Sequence, residues 1–266
     1  MRRRGPHLGE DGGMKCLAIA ALLASELVAG ELRPQTLEAF NRYIRQTERR
    51  LDERTTFLWA DESADRAGRV REGRVVVEPF GSNPVTSVPD GLVHDWVGAV
   101  FVQGASVEKT LAVIQDYDHM EAYRPEVMAS KLLSHSGADF HFYMRLLKKK
   151  VITVVLDTEH DVHYSQVGPG KWRSVSRTTK IAEVERPGKP DEHALAPGTG
   201  QGFLWRLTTF WRFEERDGGA WVECEAISLT RDVPTGLGWL IKPIIRDLPR
   251  ESLENTLLHA RLAISK

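Results

Sequence analysis

The sequence predicts an α+β fold, in which a curved antiparallel sheet wraps around a long C-terminal helix. Two β-patterned segments, 203–213 and 221–230, flank Asp217-Gly218-Gly219, and this combination is a strong hairpin signal. Earlier in the chain, four more segments have a strand pattern: 127–134, 139–147, 151–164 and 171–185. Beyond the hairpin, apolar residues recur at helical spacing, and they are Leu253, Leu257, Ala260 and Ile264. This order favours a sheet that closes against one helix.

A two-residue turn at Asp217-Gly218 or at Gly218-Gly219 sets the two faces of the hairpin. Even residues of its first strand then lie opposite odd residues of its second. One face carries large rings opposite small residues, and its members are Trp205, Leu207, Thr209, Trp211, Phe213, Val222, Cys224, Ala226 and Ser228. The other face is charged, with Arg212 opposite Glu223 or Glu225. We therefore expect the tryptophan-rich face to be inside and the charged face outside.

The prolines predict where the C-terminal helix begins. The segment 234–238 breaks the preceding strand, and Pro243 and Pro249 interrupt the apolar stretch that follows. A proline inside a helix removes a hydrogen bond and clashes with the preceding turn. The uninterrupted helix is therefore expected to begin near Pro249 and to run to Ile264.

A strand at 94–102 and a helix from Val107, capped by Ser106, precede the other strands. Next, Asp116-Tyr117-Asp118 is followed by Tyr123-Arg124-Pro125-Glu126-Val127. This pattern and the order of elements resemble the START-like superfamily (SRPBCC, Bet v 1-like, helix-grip fold), in particular its bacterial polyketide cyclase/dehydrase and coenzyme Q-binding members and an exported bacterial group. The resemblance covers Leu92 to Ile264, so residues 91–266 are predicted to form a START-like domain.

The resemblance implies a cavity between the concave face of the sheet and the C-terminal helix, which would hold an apolar or amphipathic ligand. Strand alternation agrees, because it places rings and hydroxyl groups on the inner face, while the arginines of 171–180 would join those of the hairpin in an exterior charge lattice. Such a lining suits a mostly apolar ligand with a few polar groups. The candidate ligand-binding residues are Phe142, Met144, Trp172, Ser174, Ser176, Trp205, Thr209, Trp211, Ser228 and Leu257. The alternative is that these side chains simply fill a core.

No catalytic residue, metal site or cofactor is predicted. Segment 157–163 is richest in possible metal ligands, with Glu159, Asp161 and His163 on one face and His160 on the other. A charged strand edge is nevertheless more common than a metal site, which needs converging and supported ligands. The sequence has no GxSxG, HExxH, P-loop or strand–GxGxxG–helix motif. Paired titratable groups inside the cavity would favour an enzyme.

Residues 1–30 are expected to be a signal peptide, and Met14 is a possible true start. Lys15 precedes a short apolar run at 16–24, and small residues follow it. The run is too short to span a bilayer, and an ordinary buried helix is the alternative. Residues 31–90 are predicted to form a helical extension that braces the main domain. After cleavage, Cys224 would remain as an unpaired buried thiol.

These observations predict an exported protein, periplasmic or extracellular in a bacterium, that binds or transports a hydrophobic or amphipathic small molecule such as a lipid, a quinone or a polyketide. The turn at 234–238 and the C-terminal helix would gate the cavity. One alternative is an enzyme of the cyclase, dehydrase or hydrolase type, and a second is a cavity-less interaction module of the cell envelope. We expect a monomer, and a net charge of −1 gives no reason to expect nucleic acid. Lys148-Lys149-Lys150 is expected to be a solvated hairpin tip, and the alternative is transient contact with an anionic membrane surface during ligand exchange.

Overall fold

The computed structural model describes residues 31–149, 153–232 and 238–266, and over 238–246 it describes the backbone alone. The predicted signal peptide (1–30), most of the predicted gating turn (234–237) and Lys150 lie outside the described residues.

Four helices and ten strands are found in these ranges. The helices are α1 (Pro34–Glu53), α2 (Ala64–Arg71), α3 (Val107–Ile114) and α4 (Gly238–Ile264), with 3₁₀ turns at Trp59–Glu62 and Met120–Ala122. The strands are β1 (Val76–Pro79), β2 (Val85–Val88), β3 (Gly91–Gln103), β4 (Val127–Ser136), β5 (Asp139–Lys149), β6 (Thr153–Gly168), β7 (Lys171–Glu185), β8 (His193–Ala194), β9 (Arg206–Arg216) and β10 (Gly219–Arg231). Ser106 caps α3 as predicted, because its Oγ accepts a hydrogen bond from the backbone N–H of Lys109 at 3.1 Å.

The strands form one antiparallel sheet in the order β1-β3-β10-β9-β7-β6-β5-β4, with β2 added on β3 and β8 on β7. A curved antiparallel sheet that closes on a long C-terminal helix is the helix-grip arrangement, so the predicted α+β fold is confirmed. Strands β1 and β2 come from the predicted extension, yet both pair with β3 in the main sheet. The division of the chain at residue 90 stays a prediction.

The predicted register of the β9–β10 hairpin is confirmed. Arg216 pairs with Gly219, so the turn consists of Asp217 and Gly218, and both have positive φ (57° and 75°). Such a turn matches the twist of the flanking strands, which explains the Asp-Gly sequence. In this register Arg212 lies opposite Glu223.

Helix α4 packs on one face of the sheet, here called the inner face. Its predicted stripe is buried there, and the residues are Leu253, Leu257, Ala260 and Ile264. Gly98 of β3 allows this contact, because a Cβ atom at that position would lie 2.8 Å from Leu257 Cδ1 and 2.8 Å from Val77 Cγ2. The prediction that the helix begins near Pro249 is wrong, since α4 begins at Gly238 and runs through both prolines. Local proline penalties of about 3 kcal/mol can be overcome when the rest of a helix is well packed.

The other face of the sheet, here called the outer face, is covered by the N-terminal segment. Phe40, Ile44 and Leu51 of α1 pack with outer-face residues of β9 and β10, among them Phe210 and Ile227. Residues 57–60 and α2 cover β3 and Trp221 in the same way. The prediction of an exterior charge lattice is therefore wrong, because Glu223 and Glu225 are each only 3% exposed and Arg212 is 7% exposed. The charged face of the hairpin is an internal layer.

Glu223 and Arg212 bind the connection that follows α1. Glu223 Oε1 accepts a hydrogen bond from Arg54 Nη2 at 2.9 Å, and Oε2 accepts from the backbone N–H groups of Trp59 and Ala60. Arg212 donates to the carbonyl oxygens of Leu51 at 2.9 Å and Phe57 at 2.6 Å. Buried charges are tolerated only when they are paired and hydrogen-bonded, and these are. Backbone groups at the end of α1 are satisfied by the sheet beneath it.

A second buried group in this layer joins Asp95 of β3 to α1. Asp95 Oδ2 accepts a hydrogen bond from the Tyr43 hydroxyl at 2.9 Å, and Arg50 forms an ion pair with neighbouring Glu225. Burial, and then the negative charge of Glu225, raise the pKa of Asp95 to about 8. Asp95 therefore carries a proton at neutral pH, and the folded chain binds this proton more tightly than the unfolded chain does.

The raised pKa of Asp95 predicts that Asp95→Asn will alter the pH dependence of stability. The unfolded chain loses this proton near pH 3.9, so the contribution of Asp95 to the wild-type free energy of unfolding should fall as pH rises from about 4 to about 8, by up to about 1.4 kcal/mol per pH unit. Asparagine has no such proton. The free energy of unfolding of Asp95→Asn, measured relative to wild type by urea denaturation at pH 5, 7 and 9, should therefore increase with pH. Asp65→Asn, on the exposed surface of α2, is the control and should follow wild type. Parallel curves for wild type and Asp95→Asn would contradict the assignment.

Candidate ligand site on the inner face

The antiparallel ladders align inner-face residues in rows that cross the sheet. One row runs from Val162 on β6 through Ser176, Thr209 and Ala226 to Trp96 on β3. A second row runs from Tyr164 through Ser174, Trp211 and Cys224 to Gly98. The rows therefore bring residues from five strands to the face of the sheet on which α4 packs.

Six inner-face residues in the middle of the sheet are half-buried, whereas Ser174, Cys224 and the residues at the row ends are buried. We call these six residues the inner trough, and they are Trp172, Ser176, Leu207, Thr209, Trp211 and Ala226. Trp211 stacks on Phe213 with ring centroids 5.9 Å apart, and its Nε1 donates a hydrogen bond to Thr209 Oγ1 at 3.2 Å. The indole rings of Trp172 and Trp211 and the hydroxyls of Ser176 and Thr209 therefore stay partly accessible, while the residues around them are buried. This is the composition of a site for a mostly apolar molecule.

An aromatic wall on β5 and β6 lies on the same face. Phe142 stacks between Tyr117, at 4.2 Å between centroids, and His160, at 4.7 Å. The hydroxyl groups of Tyr117 and Tyr164 are hydrogen-bonded at 2.8 Å. Burial raises the pKa of both tyrosines well above their usual range, so both are neutral donors and acceptors.

Two histidines are buried on the inner face, and the sequence analysis assigned a role to neither of them. His160 Nε2 lies 3.0 Å from Thr158 Oγ1, and burial lowers the pKa of His160 to about 3. His94 Nε2 lies 3.0 Å from Thr230 Oγ1, and burial lowers the pKa of His94 to about 4. His94 Nδ1 and the indole Nε1 of Trp96 have no hydrogen-bond partner in the structure. The even-residue alternation that places Trp96 and Val100 inside could have identified His94 as well.

The structure brings nine of the ten predicted site residues to the inner face. Trp172, Ser176, Thr209 and Trp211 belong to the inner trough, with Ser174 and Ser228 buried at its margins. Phe142, Met144 and Leu257 are buried in the inner core. Trp205 is the exception, because it packs under α1 with Phe40 and Leu229 and is 2% exposed. It precedes β9, so the strand alternation does not extend to it.

The acidic and histidine-rich segment of β6 has His160 on one face and Glu159, Asp161 and His163 on the other, as predicted. Asp161 Oδ1 lies 2.7 Å from Nδ1 of His141, and His163 Nδ1 lies 2.7 Å from Asp139 Oδ1, all on the outer face. No group of residues in the described ranges has the arrangement of a metal site. These contacts are cross-strand pairs on an exposed surface.

Two surface grooves lie away from the inner trough. One has a volume of about 350 Å³ and is lined by α3, the turn after it and the end of α4, with Lys109, His119 and Tyr123 among its residues. The other, of about 330 Å³, lies beside α1 and is lined by Arg50, Glu53, Arg54, Glu62 and Phe80. Neither groove contains a predicted site residue. Of the helices described, none is both long and apolar enough to cross a membrane.

The arrangement of elements is similar to that of several solved START-like proteins, the superfamily that the sequence resembles. A STAR-related lipid transfer protein fragment from Xanthomonas axonopodis is 17% identical with a TM-score of 0.45, over 70% of this chain and 98% of that one. The Zhui aromatase/cyclase from a Streptomyces species is 12% identical with a TM-score of 0.41, over 65% and 92%. Human STARD10 is 9% identical with a TM-score of 0.42, over 73% and 77%. No family model and no curated protein matches the chain.

The buried histidines predict a specific pattern in an NMR titration of the imidazole ring protons. His94 and His160 should show no change between pH 5 and 8, whereas exposed His119, whose pKa is raised by its hydrogen bond with Asp116, should titrate above the usual value of about 6.5. The unfolded chain protonates both buried histidines below about pH 6.5. Stability should therefore fall as pH drops from that value toward 4. Signals are assigned with His94→Gln and His160→Gln, and a buried histidine that titrates near pH 6.5 would contradict the inner-face geometry.

Proposed function

We propose that the chain binds or transports a hydrophobic or amphipathic small molecule on the inner face, between the sheet and α4. The observation that supports this proposal most is the inner trough, where indole rings and hydroxyl groups stay half-buried while the neighbouring positions are closed. Apolar contacts there would supply affinity, and Ser176, Thr209 and the unpartnered Nδ1 of His94 would supply a few oriented polar groups. Lipids, quinones and polyketide-like molecules have this mixture of features.

An enzyme that uses the same face is the second candidate, favoured by the paired hydroxyls of Tyr117 and Tyr164 next to the Phe142–His160 stack. Efficient acid–base catalysis needs groups whose pKa lies near the working pH. Both tyrosines are shifted upward and His160 is shifted downward, so all of them are poor proton-transfer groups at neutral pH. Binding without conversion is therefore the better-supported function.

Native mass spectrometry of the purified protein, followed by denaturing extraction, tests the proposal directly. A co-purifying small molecule at one equivalent would support ligand binding and identify the chemical class. Recovery of a converted product after incubation would instead support the enzyme. A protein that carries no ligand and also fails to bind uncharged lipophilic dyes or quinones would refute both candidate functions. The interaction module would then be the remaining alternative.

Filling the inner trough should abolish binding without unfolding the protein. Ser176→Phe places a ring between Val162 and Thr209, and we expect it to weaken binding of the uncharged dye Nile red by roughly tenfold or more, equivalent to about 1.4 kcal/mol. Thr179→Phe adds the same ring on the exposed outer side of the same strand and is the matched control. Equal dye affinity for the two variants, at unchanged melting temperature, would place the binding site elsewhere.

We further propose that residues 1–30 direct export and that the mature protein works outside the cytoplasm of a bacterium, as a monomer. The support is the basic start, short apolar run and small residues of that segment. N-terminal sequencing of the protein recovered from cell fractions tests this idea. A protein that keeps residues 14–30 and stays in the cytoplasm would exclude export.

A further inference from the structure

Lys148 lies on the inner face, although the sequence suggested a solvated hairpin tip. It follows Phe142, Met144 and Leu146 at even spacing on β5, and those three side chains are buried in the inner core. Lys148 is half-buried, and its Nζ donates a hydrogen bond to Ser252 Oγ of α4 at 3.0 Å. Lys149, the next residue, points to the opposite side and is exposed. The chain therefore places an ammonium group where α4 meets the end of the apolar wall.

A second cation lies beside it. Arg124 donates to Glu126 Oε1 through Nη2 at 3.1 Å and to Thr256 Oγ1 through the same nitrogen at 3.3 Å. The side chains of Arg124 and Glu126 are only 16% and 12% exposed. Ser252 and Thr256 are one helical turn apart, so both hydroxyls face the two cations from the same side of α4. We call Arg124, Lys148, Ser252 and Thr256 the cationic cluster.

Among the residues that the structure describes here, the charged groups that act on Lys148 are Glu126 and Arg124, and burial is the largest cause that lowers the pKa of Lys148. These three side chains together carry a net charge of +1. Such an excess in a half-buried position is costly unless an anion joins it.

The cationic cluster and the inner trough lie on the same face of the sheet. Lys148 is on the inner side of β5 with Phe140, Phe140 pairs with Val162 of β6, and Val162 pairs with Ser176 of the trough. The charge of Arg124 also lowers the pKa of His160, although burial is the larger cause.

We propose that the cationic cluster binds the carboxylate of an amphipathic ligand whose hydrocarbon part occupies the inner trough. Arg124 and Lys148 would donate charge-assisted hydrogen bonds, and the hydroxyl of Ser252 would complete the contact, while the Thr256 hydroxyl donates to the backbone oxygen of Ser252 at 2.8 Å. A carboxylate brings one negative charge, which balances the single excess positive charge, whereas a phosphate monoester brings nearly two. This inference rests on the proposed function and specifies its ligand as a long-chain carboxylic acid.

The test compares three molecules with the same sixteen-carbon chain in their ability to displace Nile red: palmitate, hexadecanol and hexadecyl phosphate. Wild-type protein should prefer palmitate over the other two. Lys148→Met keeps the aliphatic stem and removes the charge, and it should weaken palmitate binding roughly 10- to 100-fold while leaving hexadecanol unchanged. Lys148→Arg should restore most of the preference, and Lys149→Met is the matched control that should behave as wild type.

The possible outcomes separate the two proposals. If none of the three molecules displaces the dye, or if the dye itself does not bind, the proposed function fails. If hexadecanol and palmitate bind equally and Lys148→Met changes neither, ligand binding stands and the carboxylate site is refuted. Stronger binding of hexadecyl phosphate would also refute the carboxylate assignment. Should Lys148→Met melt below the assay temperature, Ser252→Ala removes the hydroxyl that Lys148 contacts and should lower palmitate affinity alone.

Discussion

The bond network of Glu223 is the constraint on which the outer half of the molecule depends. This carboxylate sits in the middle of β10 and is almost fully buried, so its charge must be neutralised by groups brought to it. Arg54 and the backbone N–H groups of Trp59 and Ala60 do this, and all three belong to the N-terminal segment. A charge on a central strand thereby dictates where a segment more than a hundred residues away has to lie.

The two faces of the sheet consequently have different chemistry. Ion pairs, such as Arg173 with Asp52, hold α1 on the outer face, where directional bonds fix its position. The inner face has rings, methyl groups and hydroxyls, and α4 contacts it most closely where Gly98 leaves room for Leu257. Contacts of this kind are non-directional, whereas directional bonds within the chain fix the outer layer.

Local pattern was sufficient for much of this architecture. The Asp217-Gly218 turn determined the β9–β10 register, and strict alternation correctly placed Phe142, Trp172, Ser176 and Trp211 on the inner face. Two of the failures share one physical cause, which is that the deciding partner is remote in sequence. A charged strand face is usually exposed to solvent, but α1 and residues 54–60 cover that of β10, and Trp205 likewise lies under α1. Lys148 is different, because its even spacing on β5 is a local pattern that puts it on the inner face with Leu146.

The pairing of β1 and β2 with β3 has a consequence for how the chain can be divided. A fragment that began at residue 91 would leave β3 paired with β10 alone, with its other edge open along thirteen residues and Val93, Val97 and Phe101 uncovered. Long, flat, apolar edges recruit other strands, and aggregation is the common result. The segment before residue 91 is thus a built-in protection against self-association, and removing it would change the solubility of the protein before it changed what the protein binds.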